Sequence, residues 1–128
     1  MTLTKDAPEI MSVNINAKCN EIEEPWSPID LLRVNDQVVR MALFHGEYHW
    51  HKHTNEDELF YVYKGRVVIR MKDHEDIELS EGEMLVVPKN VEHQPVSCKP
   101  SYVLMFEPHE LTSKGDQVSS CLNLKTRK

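Results

Sequence analysis

The stretch that decides the fold is Trp50-His51-Lys52-His53-Thr54-Asn55-Glu56-Asp57-Glu58-Leu59-Phe60-Tyr61-Val62-Tyr63-Lys64-Gly65. Its second half is dense in aromatic and β-branched residues and ends at a glycine, which predicts a strand and a turn. Its first half carries alternating histidines. In an extended chain, residues two apart point to one face, so His49, His51 and His53 share a face. On a helix they would fan around the axis and could not converge. Glu58 follows across a polar turn, where the chain reverses and the parity resets. A carboxylate buried beside neutral imidazoles in a β core costs several kcal/mol unless a cation balances it.

Working outward, the chain breaks into short apolar runs separated by turn residues. Strands are expected at 31–34, at 37–44 continuing through Gly46 to His53, and at 58–63, 66–71, 77–79, 84–87, 91–97 and 101–106. Asn35-Asp36 suits a tight hairpin. Pro95 places the strand at 91–97 on an edge or at a bulge. A short helix is expected at 15–23, before Pro25 and Pro28. About nine short strands with almost no helix leave a double-sheet jelly roll or an immunoglobulin-like sandwich. The Cys-Trp-Cys spacing of antibody domains is missing, and the inward histidines favour a barrel with a functional interior. The expected fold is therefore all-β: a jelly-roll barrel, or double-stranded β-helix, at about 31–107. Segments 1–30 (irregular or briefly helical) and 108–128 flank it, in a single domain spanning 1–128. The chain after Pro108 is polar and is expected to cover the outside.

Composition bounds the function. The net charge is -6, which argues against binding a phosphate backbone. No apolar run reaches the length of a membrane span, and the first nine residues do not read as a signal peptide. Cys19, Cys98 and Cys121 form no CxxC pair and read as free thiols of a reducing compartment, hence a cytoplasmic protein.

The sequence resembles the cupin superfamily. The first cupin motif, G-x5-HxH-x3,4-E-x6-G, is matched by His51-Lys52-His53, Glu58 and Gly65, with Gly46 one position too close. The second, G-x5-PxG-x2-H-x3-N, is matched by Gly82, Pro88 and His93. Asn90 replaces a glycine, and asparagine can adopt the same left-handed turn. Ser97 stands where the final asparagine would be. Trp50 through Val62 look like the small single-domain cupin 2 proteins, some described as mannose-6-phosphate isomerase-like. The resemblance implies His51, His53, Glu58 and His93 as ligands of one divalent transition metal per chain: Zn, Mn, Fe, Ni, Co or Cu. It implies less about the reaction, because the fold hosts many. The expectation is a metalloenzyme acting on a small polar metabolite, a sugar or a keto or hydroxy acid, isomerase-like or dioxygenase-like. The other reading is a non-catalytic small-molecule or metal-binding sensor module. The expected partners are a small-molecule ligand and a second copy in a homodimer, with residues before Leu31 exchanged or covering, and neither nucleic acid nor membrane.

His49 shares the inward face and is the candidate acid/base, or else a residue that braces a ligand. Glu47 has the same parity and could face substrate, and His45 lies farther off. Phe60 is expected to wall the site, while Tyr61 and Tyr63 pack on the other face. His74 and His109 read as surface residues, and His109 has no visible partner. Arg70 and Lys89 read as exposed charges. Met41, Met71, Met84 and Met105 read as core filler.

Overall fold

The computed structural model describes residues 9–110. Cys121 and the segment expected to cover the outside after residue 110 lie beyond those residues. The described chain forms one short helix, α1 (Ile15–Glu21), and seven strands: β1 (Ile29–Val34), β2 (Gln37–Glu47), β3 (Glu58–Lys64), β4 (Arg66–Met71), β5 (Ile77–Ser80), β6 (Met84–Val87) and β7 (His93–Pro108). All strand pairs are antiparallel. This is the jelly-roll architecture that the alternation of apolar residues requires.

The organising strand is β7. Its second half pairs with β2 and β3, in a layer ordered β1-β2-β7-β3-β6. Its first half pairs with β4, which carries β5. The sequence reads as two strands here because Cys98-Lys99-Pro100, a charge followed by a proline, looks like a turn. They mark instead the corner where one long strand passes between layers. Pro95 fits because it sits opposite Ile69 and its carbonyl accepts from Tyr48 N at 3.1 Å. A second difference concerns β2, which stops at Glu47 rather than running to His53. Gly46 adopts φ +90° and the pairing with β7 shifts register between Phe44 and Gly46, so the pleat is broken before the histidines.

Inward side chains of both layers, including Phe44, Phe60, Val62, Val67, Ile69 and Val103, form the core inside the barrel. Fully burying each contributes roughly 1.5–3 kcal/mol. A second cluster lies outside, where α1 covers Met41 and Leu43 with Cys19 and Ile22. Asn14 caps α1 by accepting from Ala17 N at 3.0 Å. The residues before β1 thus cover their own sheet. Tyr63 belongs to this outer cluster and donates to Asn16 Oδ1 at 2.7 Å. Met84 departs from expectation: it is 60% exposed, on the outer face of a sheet-edge strand. Among the described residues no helix is long and apolar enough to cross a membrane.

Gly65 joins β3 to β4 with φ +100°, and a Cβ there would stand 2.6 Å from Ser101 Cβ and 2.9 Å from its Cα. Backbone strain and overlap add, so Gly65→Ala is expected to destabilise by about 2 kcal/mol or more. Urea unfolding monitored by circular dichroism checks this.

Candidate metal centre

His51 and His93 are brought face to face by the backbone. After β2 ends, the chain returns to the sheet at an isolated bridge between them. His51 N donates to His93 O at 3.0 Å and His93 N to His51 O at 2.8 Å. Their rings lie 4.3 Å apart. His53 is held by the turn before β7, where Asn90 N donates to His53 O at 2.8 Å. Asn90 adopts φ +69°, the left-handed conformation expected of it. Glu58 opens β3 opposite Val87 and points inward with Phe60 and Val62.

All four side chains are buried, and one donor atom from each lies within 4.8 Å of the others. Two atoms each about 2.1 Å from one ion are at most about 4.2 Å apart. Four donors held tetrahedrally at that distance stand about 3.4 Å apart, so closing the set on an ion needs the widest pair to contract by about 1–1.5 Å, within reach of side-chain rotation. The tautomers are fixed by carbonyls, which only accept: His51 Nδ1 donates to His49 O at 3.1 Å, and His93 Nδ1 to Val91 O at 2.9 Å. Each neutral ring then carries its lone pair on Nε2. His93 Nε2 and His53 Nδ1 are buried without a hydrogen-bond partner, a costly condition in a dry interior. The donor set, and the orphaned His93 Nε2 within it, fit a divalent ion.

Electrostatics agree. Burial, then the neighbouring His93, depresses His51 from 6.5 to about 3, so it is neutral and ready to ligate. Burial alone would raise Glu58, but the hydrogen bond from His53 (3.1 Å) and the neighbouring His93 and Glu107 outweigh it and hold the carboxyl well below the usual range. Glu107, wholly buried, is pushed up to about 8 by burial and by Glu58, against Arg40.

A pocket opens beside His51 and Glu58, walled by Trp26, Phe44, Tyr48 and Phe60 with Pro28, Pro95, Ala42 and Met105. Trp26 reaches it from the segment after α1, with φ +62°. Its N donates to Leu43 O at 2.8 Å and its Nε1 to His45 O at 3.0 Å. Its ring packs 4.5 Å from Phe44 and 4.8 Å from Tyr48. Phe60 walls the site as expected.

The other candidates fall elsewhere. His49 stands next to the cluster but outside it, half-buried, its ring 5.2 Å from that of His51 and 4.1 Å from Tyr48. Glu47 and His45 are exposed rather than inward, because β2 breaks at Gly46. Glu47 lies 3.9 Å from Arg70, which also donates to Gln94 at 3.0 Å. His74 and Lys89 are exposed. His109 does have a partner, Asp30 Oδ2 at 3.2 Å. Sequence reasoning missed Trp26, Tyr48, Arg40 and Glu107. For the last two a signal existed: each is a charge at an inward position of an apolar strand.

Residues 38–107 match the family model of the cupin domain. The uncharacterised Bacillus subtilis protein YdbB is 41% identical over 81 residues, 63% of this chain and 72% of YdbB. A 3-hydroxyanthranilate 3,4-dioxygenase of Aspergillus fumigatus is 32% identical over 88 residues, 66% of this chain. The match spans 44% of that enzyme, less than half its length. The crystal structure of a cupin-2 domain protein from Shewanella frigidimarina superposes with a TM-score of 0.73 at 35% identity, covering 76% of this chain and 94% of that one.

The depressed His51 has a consequence for the metal-free protein. The unfolded chain takes up a proton near pH 6.5 and the folded chain does not. Stability from this group is complete above that pH and is lost as pH falls toward 3. Between pH 6.5 and 5 the loss should be about 2 kcal/mol. Chelator-treated protein should melt progressively lower over that range, and His51→Gln should flatten the slope.

Proposed function

This chain belongs to the cupin family, and from that membership we propose that it is a metal-dependent dioxygenase of small, uncharged, oxygen-bearing aromatic compounds, with His51, His53, Glu58 and His93 as ligands of one divalent ion. The observation that carries this is the character of the pocket beside the donors. Four aromatic rings, two prolines, Ala42 and Met105 line it, with no Lys or Arg. A sugar needs partners for hydroxyls all round its ring, and a sugar phosphate needs a cation. These walls offer neither, which argues against the isomerase-like alternative. A flat ring with one polar edge fits: its body stacks between apolar walls and its oxygens reach the donors. The likeness to 3-hydroxyanthranilate dioxygenases supports the same reaction class, although the pocket lacks a cation for a substrate carboxylate.

The bound ion would supply positions for substrate oxygens and for dioxygen, together with the redox chemistry. The chain's own side chains do the rest. Trp26 and Tyr48 orient the ring from one side and Phe60 closes the floor, excluding water. The His49 and Val91 carbonyls keep the His51 and His93 lone pairs turned inward. The His49 ring is the candidate to carry the substrate's phenolic proton. The free thiols Cys19 and Cys98 fit a cytoplasmic setting.

Protein loaded with ferrous iron should bind one ion per chain and consume dioxygen with catechol- or aminophenol-type substrates. His93→Ala should abolish metal uptake. His49→Ala should keep the metal, because only its backbone carbonyl braces His51, and should lower kcat roughly 10²- to 10⁴-fold. Tight binding of a phenol without turnover would favour the sensor module instead.

We infer in addition that the chain pairs as a homodimer through its outer sheet face. Val86, Leu59, Phe106, Val39 and Leu32 stand opposite one another in one row across five strands. Val86, Phe106 and Leu32 are 46%, 39% and 38% exposed, an apolar stripe of the kind that marks an interface. Light scattering should give twice the chain mass, falling to the monomer in Leu32→Lys/Val86→Lys.

A further inference from the structure

The largest side chain in the pocket wall stands on a backbone that rarely carries one. Pro25 and Trp26 form a turn between α1 and β1, and Trp26 takes φ +62° there. That region suits glycine or asparagine and is an outlier for a bulky residue. Such residues persist only where their surroundings over-determine them, and they gather at ligand clamps. Here the backbone is fixed by the hydrogen bond from Trp26 N to Leu43 O at 2.8 Å. Pro25 and Pro28 stiffen the segment on either side. The indole lies over the pocket, 4.5 Å from the Phe44 ring and 4.8 Å from that of Tyr48.

With the indole lodged there, the free space beside His51 and Glu58 is about 20 Å³, room for one water. A cavity that takes a benzene ring is on the order of 150 Å³. A wall must therefore yield before any ring reaches the donors. Ala42, Phe44, Phe60 and Met105 sit on strands and are at most 3% exposed, so they are held on all sides. The Tyr48 ring is wedged between those of Trp26 and His49 and stands edge-on to His51. Trp26 is half-buried and comes from an irregular segment. Its ring is held by the hydrogen bond from Nε1 to the carbonyl of the exposed His45 at 3.0 Å. Water replaces such a bond as it breaks, so losing it costs little. Rotation about the Cα–Cβ bond, between staggered positions, moves the indole while the backbone stays in place.

We infer that Trp26 is the specificity-determining gate of this site: its indole swings out to admit an aromatic ring and closes back over it, leaving room for one ring only. The inference rests on the reading of the pocket as the seat of an oxygen-bearing aromatic compound. It adds how that compound enters and how large it can be. Trp26 packs on the ring and takes no part in making or breaking bonds.

The test follows ligand binding to cobalt-loaded protein under argon, by stopped-flow, through the visible absorption of the bound cobalt. With catechol, the association rate of the wild type should level off as catechol rises, because opening becomes limiting. Trp26→Gly removes the indole and puts at φ +62° the residue that accepts it most readily, so the turn should hold. It should associate at least about tenfold faster at the same catechol concentration. A naphthalenediol with adjacent hydroxyls should bind the wild type at least about tenfold more weakly than catechol does, and should bind Trp26→Gly about as well as catechol. Circular dichroism melts establish that the variant is folded at the assay temperature. If it is not, Trp26→Phe takes its place: it keeps a wall but loses the Nε1 bond, and should associate faster by a smaller factor. Equal association rates in wild type and variant, or a wild type that binds the naphthalenediol as tightly as catechol, overturn the inference and leave the reading of the site standing. Cobalt-loaded wild type that binds no catechol overturns both.

Discussion

The structure turns on one constraint: three imidazoles and a carboxylate are buried together where water cannot serve them. A β core tolerates polar atoms only when each has a partner. Carbonyls satisfy the outward nitrogens of His51 and His93, and the two backbones clasp each other at the His51–His93 bridge. What remains is a set of inward donors with no protein group to satisfy them all. The fold is arranged to create this. Strand β7 belongs to both layers, so its first residue, His93, meets the chain returning from β2 at the point where β3 begins with Glu58.

Around those donors the chain places surfaces of opposite character. Beyond them lies an apolar pocket whose aromatic walls come from three parts of the chain: the segment after α1, the end of β2 and β3. Beneath them lies a charge network, Glu107-Arg40-Asp30-His109, buried at Glu107 and open to solvent at Asp30, tied across β1, β2 and β7. The pocket presents aromatic and apolar walls, whereas the network gathers charges behind the donors. The likeness to dioxygenases and to a cupin-2 structure concerns the cupin domain as a whole.

The donor set was legible in the sequence because it is local. The alternation of His51 and His53, the turn to Glu58 and the Pro88-Lys89-Asn90 turn before His93 are all short-range patterns. Asn90 was readable because its side chain tolerates the left-handed backbone. The break in β2 was less so: an alternating pattern does not show where a glycine at φ +90° resets the pleat, and Glu47 was therefore placed inward. The single strand β7 reads as two in the sequence because a lysine and a proline at its corner look like a turn. Trp26 carried no periodic signal, since it enters from an irregular segment and its position is set by tertiary contacts with Leu43, His45 and Tyr48. Arg40 and Glu107 were visible as charges on apolar faces, but only the register between β2, β7 and β3 shows that they meet.

The most direct test of the centre is a crystal structure of protein soaked with one equivalent of manganese or cobalt, with data collected at the metal's absorption edge. One anomalous peak bonded to His51, His53, Glu58 and His93, with Trp26 and Phe60 walling its open side, is the expected result. A peak elsewhere on the chain, or none inside the barrel while the His93 ring hydrogen-bonds to protein alone, would contradict the account.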